Sequence, residues 1–167
     1  DIEWKKVLTI RLAEIREGYL RDLPAATDAW ENVLKLDGEN FLALDSLERL
    51  YRQGRAAQGL VRILSLRVAI GIKHGNKIAA AALLEECAQI AIVDLKDLPR
   101  ACGFLLKVLE LDPTRDDVFE RLRRIYFQFA QWESLVDLLK HQIRRVINER
   151  PDAKASLSGY YQELGWI

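Results

Sequence analysis

The residue types that most often carry chemistry are sparse in this 167-residue chain, which has two cysteines and two histidines. Cys87 and Cys102 belong to no C-x-x-C pair and have no histidine nearby, and free cysteine is among the most buried residue types. His74 and His141 have no Ser, Cys or carboxylate at a spacing typical of a catalytic triad or a ligand set. We therefore predict core cysteines, surface histidines and a chain that is not an enzyme, with no catalytic residue, no cofactor and no metal.

Two pairs of adjacent acids, Glu85-Glu86 and Asp116-Asp117, are the closest candidates for a catalytic carboxylate dyad. Neighbouring residues on a helix point about 100° apart, so neither pair is well placed to act together. Acids in a first helical turn interact favourably with the helix dipole. We interpret Asp116-Asp117 as the start of a helix.

The total charge argues against nucleic acid as a partner, since 25 Lys and Arg balance 25 Asp and Glu. A local basic cluster is countered by acids close by, which favours a solvated face over a nucleic-acid site. The cluster consists of Arg121, Arg123, Arg124, Arg144 and Arg145, and the acids are Glu120, Asp137 and Glu149.

Half of the residues are hydrophobic, which is typical of a globular chain. The longest apolar window, residues 78–92, is interrupted by Glu85, Glu86 and Gln89, so we predict no membrane insertion. The chain contains no Met, from which we expect a fragment of a longer protein. Its cysteine usage favours a reducing compartment such as the cytoplasm.

The organisation of the chain is set by an internal repeat, because residues 20–68 return without a gap as residues 95–143. Of the 49 aligned positions, 16 are identical, among them Asp22/Asp97, Pro24/Pro99, Arg49/Arg124 and Tyr51/Tyr126. Such self-similarity indicates a repeat architecture. We predict a single domain over residues 1–167, made of one unit over about 1–75, a second over about 76–150, and the start of a further repeat over 151–167.

Apolar residues recur at three- and four-residue spacings throughout, which predicts helices joined by short connections. Asp22 and Asn76 are predicted N-caps, and Pro24 lies in a first helical turn. Gly38 is predicted to end the second helix in the left-handed conformation. In the aromatic run from Tyr126 to Trp132 we expect these two to pack between helices, and Phe127 or Phe129 to be exposed as an anchor for a partner.

Each of the two large units divides into two helix pairs of about 34–40 residues, and these resemble tetratricopeptide (TPR) repeats. The residues that carry the resemblance are Ala13, Leu20, Ala26, Trp30, Val33 and the run 36–40 in the first unit, and Ala88, Ala101, Leu105, Val108 and the run Leu111-Asp112-Pro113 in the second. The following pairs begin with Leu44, Leu47 and Tyr51, and with Phe119, Leu122 and Tyr126. The resemblance implies an all-α, right-handed superhelical solenoid of about nine helices, with four degenerate repeats and part of a fifth.

The same resemblance implies a non-catalytic module that binds a peptide or protein on a concave face lined by the first helix of each pair. On the third and seventh helices that face is expected to present Asp45, Arg49, Arg52, Glu120, Arg124 and Phe127. The repeated arginine, Arg49/Arg124, is a natural ligand for a carboxylate or a backbone carbonyl, although both could equally pair with nearby acids. A scaffold or self-association segment of a larger protein is the first alternative, and an RNA-binding helical repeat is the second.

Overall fold

The computed structural model describes residues 2–149 and 154–166, and within these ranges every regular element is an α-helix. The helices are α1 Ile2–Gly18, α2 Leu23–Leu36, α3 Phe41–Gln53, α4 Ala57–Lys73, α5 Lys77–Val93, α6 Leu98–Leu111, α7 Asp116–Gln128, α8 Trp132–Glu149 and α9 Lys154–Trp166. Short connections join α1 through α8. The predicted all-α chain of nine helices is confirmed for the described residues. The predicted unit boundary after residue 150 lies outside them.

Side-chain caps fix the starts of the second helices of the first and third pairs. The Asp22 carboxylate accepts a hydrogen bond from the backbone N–H of Ala25 at 3.1 Å, and Asp97 accepts one from Arg100 at 3.0 Å. Each cap satisfies a backbone donor that has no partner inside the helix. The caps predicted at Asp22 and Asn76 are therefore confirmed, the latter by a bond from the backbone N–H of Ala79 at 3.2 Å.

The turns inside the helix pairs repeat with the sequence. Arg21, Arg55, Lys96 and Ala130 have φ between 51° and 55°, the left-handed region that residues with a side chain rarely adopt. In the alignment of the two copies, Arg21 corresponds to Lys96 and Arg55 corresponds to Ala130. The backbone therefore shows both the larger repeated unit and the helix pairs within it.

The prediction of a left-handed Gly38 is wrong, since Gly75 is the glycine with positive φ among the described residues. Helix α2 ends at Leu36, and its C-cap residue, Asp37, has an extended backbone with φ −144° and ψ 92°. The turn closes when the backbone N–H of Asn40 donates to the Asp37 carbonyl at 3.1 Å. The second copy has Pro113 at the position of Gly38, and a proline ring holds φ at about −65°. A turn that both copies can form therefore excludes a left-handed residue there.

The described residues form two compact units, residues 1–104 and 105–167, whereas the predicted single domain stays a prediction. In residues 1–104, α1 and α2 approach closely because the side chains between them are small. Ala13, Ala26 and Ala29 are at most 1% exposed. Trp30 fills the space beside them, and its indole N–H donates to the Glu17 carboxylate at 3.0 Å. A buried indole needs such a partner, so the small residues and the tryptophan work together in this core.

The second unit has a mainly aliphatic core with one buried tyrosine, Tyr126. Its buried residues include Leu105, Val108, Val118, Phe119, Leu122, Leu135, Leu139, Ile143 and Leu157. The prediction that Trp132 packs between helices is wrong, because this first residue of α8 is 42% exposed and lies edge-on to the Phe127 ring. Phe127 and Phe129 are both exposed, which exceeds the single exposed phenylalanine that was predicted.

Tyr51, near the end of α3, ties α2 to α4. Its hydroxyl donates to the Glu31 carboxylate of α2 at 2.6 Å, and Arg62 of α4 forms an ion pair with the same carboxylate. The ring lies directly on Gly59 of α4, where a Cβ atom would come within 2.6 Å of a ring carbon. Burial, followed by the hydrogen bond to Glu31, raises the pKa of the Tyr51 hydroxyl. We call Glu31, Tyr51 and Arg62 the Tyr51 clasp.

We expect Gly59→Ala to lower the free energy of unfolding by about 1–2 kcal/mol, because the added methyl group overlaps the Tyr51 ring. The better helix propensity of alanine offsets roughly 1 kcal/mol of a larger steric cost. Urea unfolding followed by circular dichroism measures the difference. Ser134→Ala, at the matching position of the second copy, is the control and should change stability by less than about 0.5 kcal/mol. A Gly59→Ala protein at least as stable as the parent would contradict this packing.

Candidate interaction surfaces

The residues that could carry chemistry lie where the sequence predicts. Cys87 and Cys102 are unpaired thiols, 0% and 5% exposed, and His74 and His141 are exposed. Burial raises the pKa of the Cys87 thiol to about 11 and also raises that of Cys102. Such thiols stay protonated at neutral pH, which is the opposite of an activated nucleophile. Within residues 2–149 and 154–166, His, Cys, Asp and Glu side chains form no group of three or more that could hold a metal ion.

The first helices of the three pairs in residues 1–104 are linked side by side by ion pairs. Arg49 of α3 pairs with Glu17 of α1 at 2.5 Å. Arg52 of α3 pairs with Glu86 of α5 at 2.7 Å and with Glu48 on its own helix at the same distance. Side chains from α1, α3 and α5 therefore meet on one face, which is the arrangement expected of the first helices of successive repeats.

Three of the predicted site residues, Asp45, Arg49 and Arg52, line one depression of about 410 Å³ on this face. We call it the α3 patch, and its other lining residues are Glu48, Gln53 and Arg67. Arg67 of α4 reaches over to pair with Asp45 and, through its Nε, with Glu48 at 3.1 Å. Every charged side chain that lines the α3 patch therefore has an opposite charge beside it.

The other three predicted residues, Glu120, Arg124 and Phe127, lie on α7, and two of them share a depression. Arg124 and Phe127 line a space of about 240 Å³ with Arg123 and Glu163, which we call the α7 patch. Arg123 pairs with Glu120 at 2.9 Å and with Glu163 of α9 at 2.8 Å, so α7 and α9 are bridged as α1, α3 and α5 are. Glu120 does not line the depression but neutralises Arg123 at its edge.

The two patches occupy equivalent positions, yet they differ in charge compensation. Arg49 has Glu17 beside it, whereas its counterpart Arg124 is exposed and makes no hydrogen bond or ion pair with any described residue. Phe127 replaces Arg52 and is 59% exposed, with one edge-to-face neighbour in Trp132 at a centroid distance of 5.7 Å. The α7 patch thus combines an available guanidinium with an accessible aromatic surface.

Sequence reasoning missed the acids that compensate these patches, namely Glu17, Glu86 and Glu163. Each of them lies about one helix pair along the chain from the arginine that it contacts. A search for opposite charges separated by one repeat length could have found them. Along residues 2–149 and 154–166, none of the helices combines the length and the hydropathy that a membrane crossing requires.

We expect both thiols to be protected in the folded chain. At pH 8 a thiol whose pKa is near 11 should react with a disulfide reagent such as DTNB about a hundredfold more slowly than a free cysteine. In denaturant both thiols should react at the rate of the free amino acid. A folded protein in which Cys87 reacts as fast as free cysteine would contradict the packing of α5.

No family model matches the chain, and no curated protein is significantly similar to it in sequence. One solved structure with a similar chain is that of a kinesin light chain from Podospora anserina with nearly identical TPR-like repeats. The two chains are 20% identical over 99% of this chain and 87% of the other, with a TM-score of 0.42. This chain's own helices and turns show an all-α array of repeated helix pairs.

Proposed function

We propose that the chain is a non-catalytic interaction module that holds a peptide or protein segment on the faces of its first helices, with Arg124 and Phe127 as the principal contacts. The observation that carries the proposal is the Arg124 guanidinium, which pairs with none of the described residues, beside the exposed Phe127 ring. Elsewhere on these faces the arginines are compensated by acids of the neighbouring helices. A partner can therefore use Arg124 without first displacing another carboxylate.

The chemistry of the α7 patch specifies the kind of segment that fits it. A guanidinium presents a planar set of donors that matches a carboxylate or a backbone carbonyl. Phe127 and Trp132 together offer an apolar surface, and aromatic residues and arginine are the types most enriched among strong interface contacts. We infer a segment that carries an acidic residue, or a free carbonyl, next to an aliphatic or aromatic side chain.

The α3 patch has a smaller role in this proposal. Arg49 is 57% exposed, but the Glu17 carboxylate beneath it is only 13% exposed and also accepts the Trp30 indole N–H. Moving Arg49 toward a partner would leave that largely buried carboxylate without its cation, which costs free energy. Arg49 is therefore better suited to holding α3 against α1. In this proposal Asp45 and Arg52 lie at the edge of the partner-binding face and are not its principal contacts.

The test compares four forms of the full 167-residue chain as bait in cell extract: the parent, Arg124→Glu, Phe127→Ala and Arg49→Glu. We expect both α7 variants to reduce capture of the specific partner about tenfold or more, since they remove an uncompensated charge and an aromatic contact. Arg49→Glu is the matched control, with the same charge change at the equivalent position, and should reduce capture by less than about threefold. Circular dichroism checks that each variant folds.

Three outcomes would contradict the proposal. Equal capture by the parent and both α7 variants would move the interface away from this patch. A larger loss with Arg49→Glu than with Arg124→Glu would assign recognition to the α3 patch. Capture of RNA, or self-association of the chain in sedimentation equilibrium without any other partner, would favour one of the alternative functions.

A further inference from the structure

A groove of about 600 Å³ opens on the second helices of residues 105–167, away from the α7 patch. It lies between the end of α6 and α8, with the last turns of α7 at its base. Leu106, Leu109, Tyr126 and Leu138 supply its apolar lining. The volume lies within the range of ligand pockets, and it is sufficient for one or two large side chains of a partner.

The equivalent place in the first copy holds the Tyr51 clasp, whose charged residues differ in the second copy. There the Glu31 carboxylate accepts the hydrogen bond of the Tyr51 hydroxyl and forms an ion pair with Arg62. In the alignment of the two copies, Leu106 corresponds to Glu31, Asp137 corresponds to Arg62, and Tyr126 corresponds to Tyr51. Leucine and aspartate cannot form this ion pair. The second copy therefore has the tyrosine but lacks the ion pair beside it.

The floor of the groove is shared by both copies, whereas its rim is not. Leu34 and Ile63 of the first copy correspond to Leu109 and Leu138, so the apolar base is maintained. At the rim, Lys35 and Arg62 correspond to Glu110 and Asp137, so two cations are replaced by two acids.

The acidic rim is available for a partner. Neither Glu110 nor Asp137 forms an ion pair or a hydrogen bond with a described residue. His141 also lies at the rim and is exposed.

Lys107 of α6 and Lys140 of α8 do not line the groove. Arg145 of α8 donates to the carbonyl of Pro113 at the groove, but it is paired with Asp116 at 2.7 Å. The groove therefore presents two uncompensated carboxylates above an apolar floor.

We propose that this groove is a second docking site, and that it receives a segment with an aliphatic or aromatic side chain flanked by lysine or arginine. The apolar side chain enters between Leu106 and Leu138, and the flanking cations reach Glu110 and Asp137. Complementary charge around an apolar centre is the usual composition of a specific interface. The site is independent of the α7 patch, whose available charge is positive and selects the opposite kind of segment.

Two labelled synthetic peptides with the same Leu-Phe-Leu centre, one flanked by lysines and the other by glutamates, serve as probes. We expect fluorescence anisotropy to show that the full chain binds the lysine-flanked peptide at least tenfold more tightly than the glutamate-flanked peptide. The double variant Leu106→Glu/Asp137→Arg restores the pair found in the Tyr51 clasp. It should close the groove and weaken binding of the lysine-flanked peptide at least tenfold.

Two further variants separate charge from shape. Glu110→Gln/Asp137→Asn keeps the groove open but removes its charge, so it should remove most of the difference in affinity between the two peptides. This variant also tests the proposal if the clasp variant, Leu106→Glu/Asp137→Arg, does not fold. Glu133→Arg is the matched control, because it reverses an exposed acid on the same helix that does not line the groove. It should change the affinity by less than about threefold.

The proposal is overturned if neither peptide binds, if both bind alike, or if the clasp variant and the charge-neutral variant leave the affinity unchanged. A dimer of the parent chain that the clasp variant dissolves would assign the groove to a second copy instead. Arg124→Glu should leave binding of the lysine-flanked peptide intact, so failure of the α7 patch and failure of the groove are distinguishable.

Discussion

The pairing of the helices depends on the turn that ends each first helix from α1 to α7. In all four of these turns the left-handed residue carries a side chain, whereas Gly75 lies between two pairs. The conformation costs about 1 kcal/mol or more at residues such as Arg55 and Ala130. The cost is offset where the next backbone N–H closes onto the preceding helix, as Ala56 does onto the Tyr51 carbonyl at 2.9 Å. The turn fixes the angle at which the second helix returns, which allows the alanine-lined faces to meet.

Ion pairs between neighbouring first helices add little stability one by one, since exposed pairs contribute about 0–1 kcal/mol each. Their larger effect is to determine which charges remain available on the surface. Arg49 and Arg52 are neutralised by the helices on either side, whereas Arg124 keeps a guanidinium that no described residue pairs. Recognition by a repeat array is thus expected at the positions where compensation between neighbouring repeats is missing, rather than at every equivalent position.

Local physics made much of the fold predictable. Apolar spacing, the cap at Asp22 and the prolines in first turns depend on residues within a few positions, so most helix bounds followed closely from the sequence. The prediction of a left-handed Gly38 failed because a left-handed glycine is only one way to end a helix. Here the hydrogen bond from the backbone N–H of Asn40 to the carbonyl of Asp37 closes the turn instead. Helix periodicity alone could place Arg49 on the face that α3 shares with α1. Its partner Glu17 comes from another repeat, and no local pattern encodes that contact.

The two copies show how one scaffold can present different surfaces. Positions 31 and 62 must change together, because Glu31 is only 22% exposed and would be left beside the tyrosine without its cation if Arg62 alone were replaced. Both have changed in the second copy, while the buried tyrosine and the apolar floor beneath it are retained. Because the core contacts do not involve the paired charges, a duplicated unit can lose the bridge without losing its packing. The apolar floor is thus common to both copies, whereas the charge of the rim changes from Lys35 and Arg62 to Glu110 and Asp137.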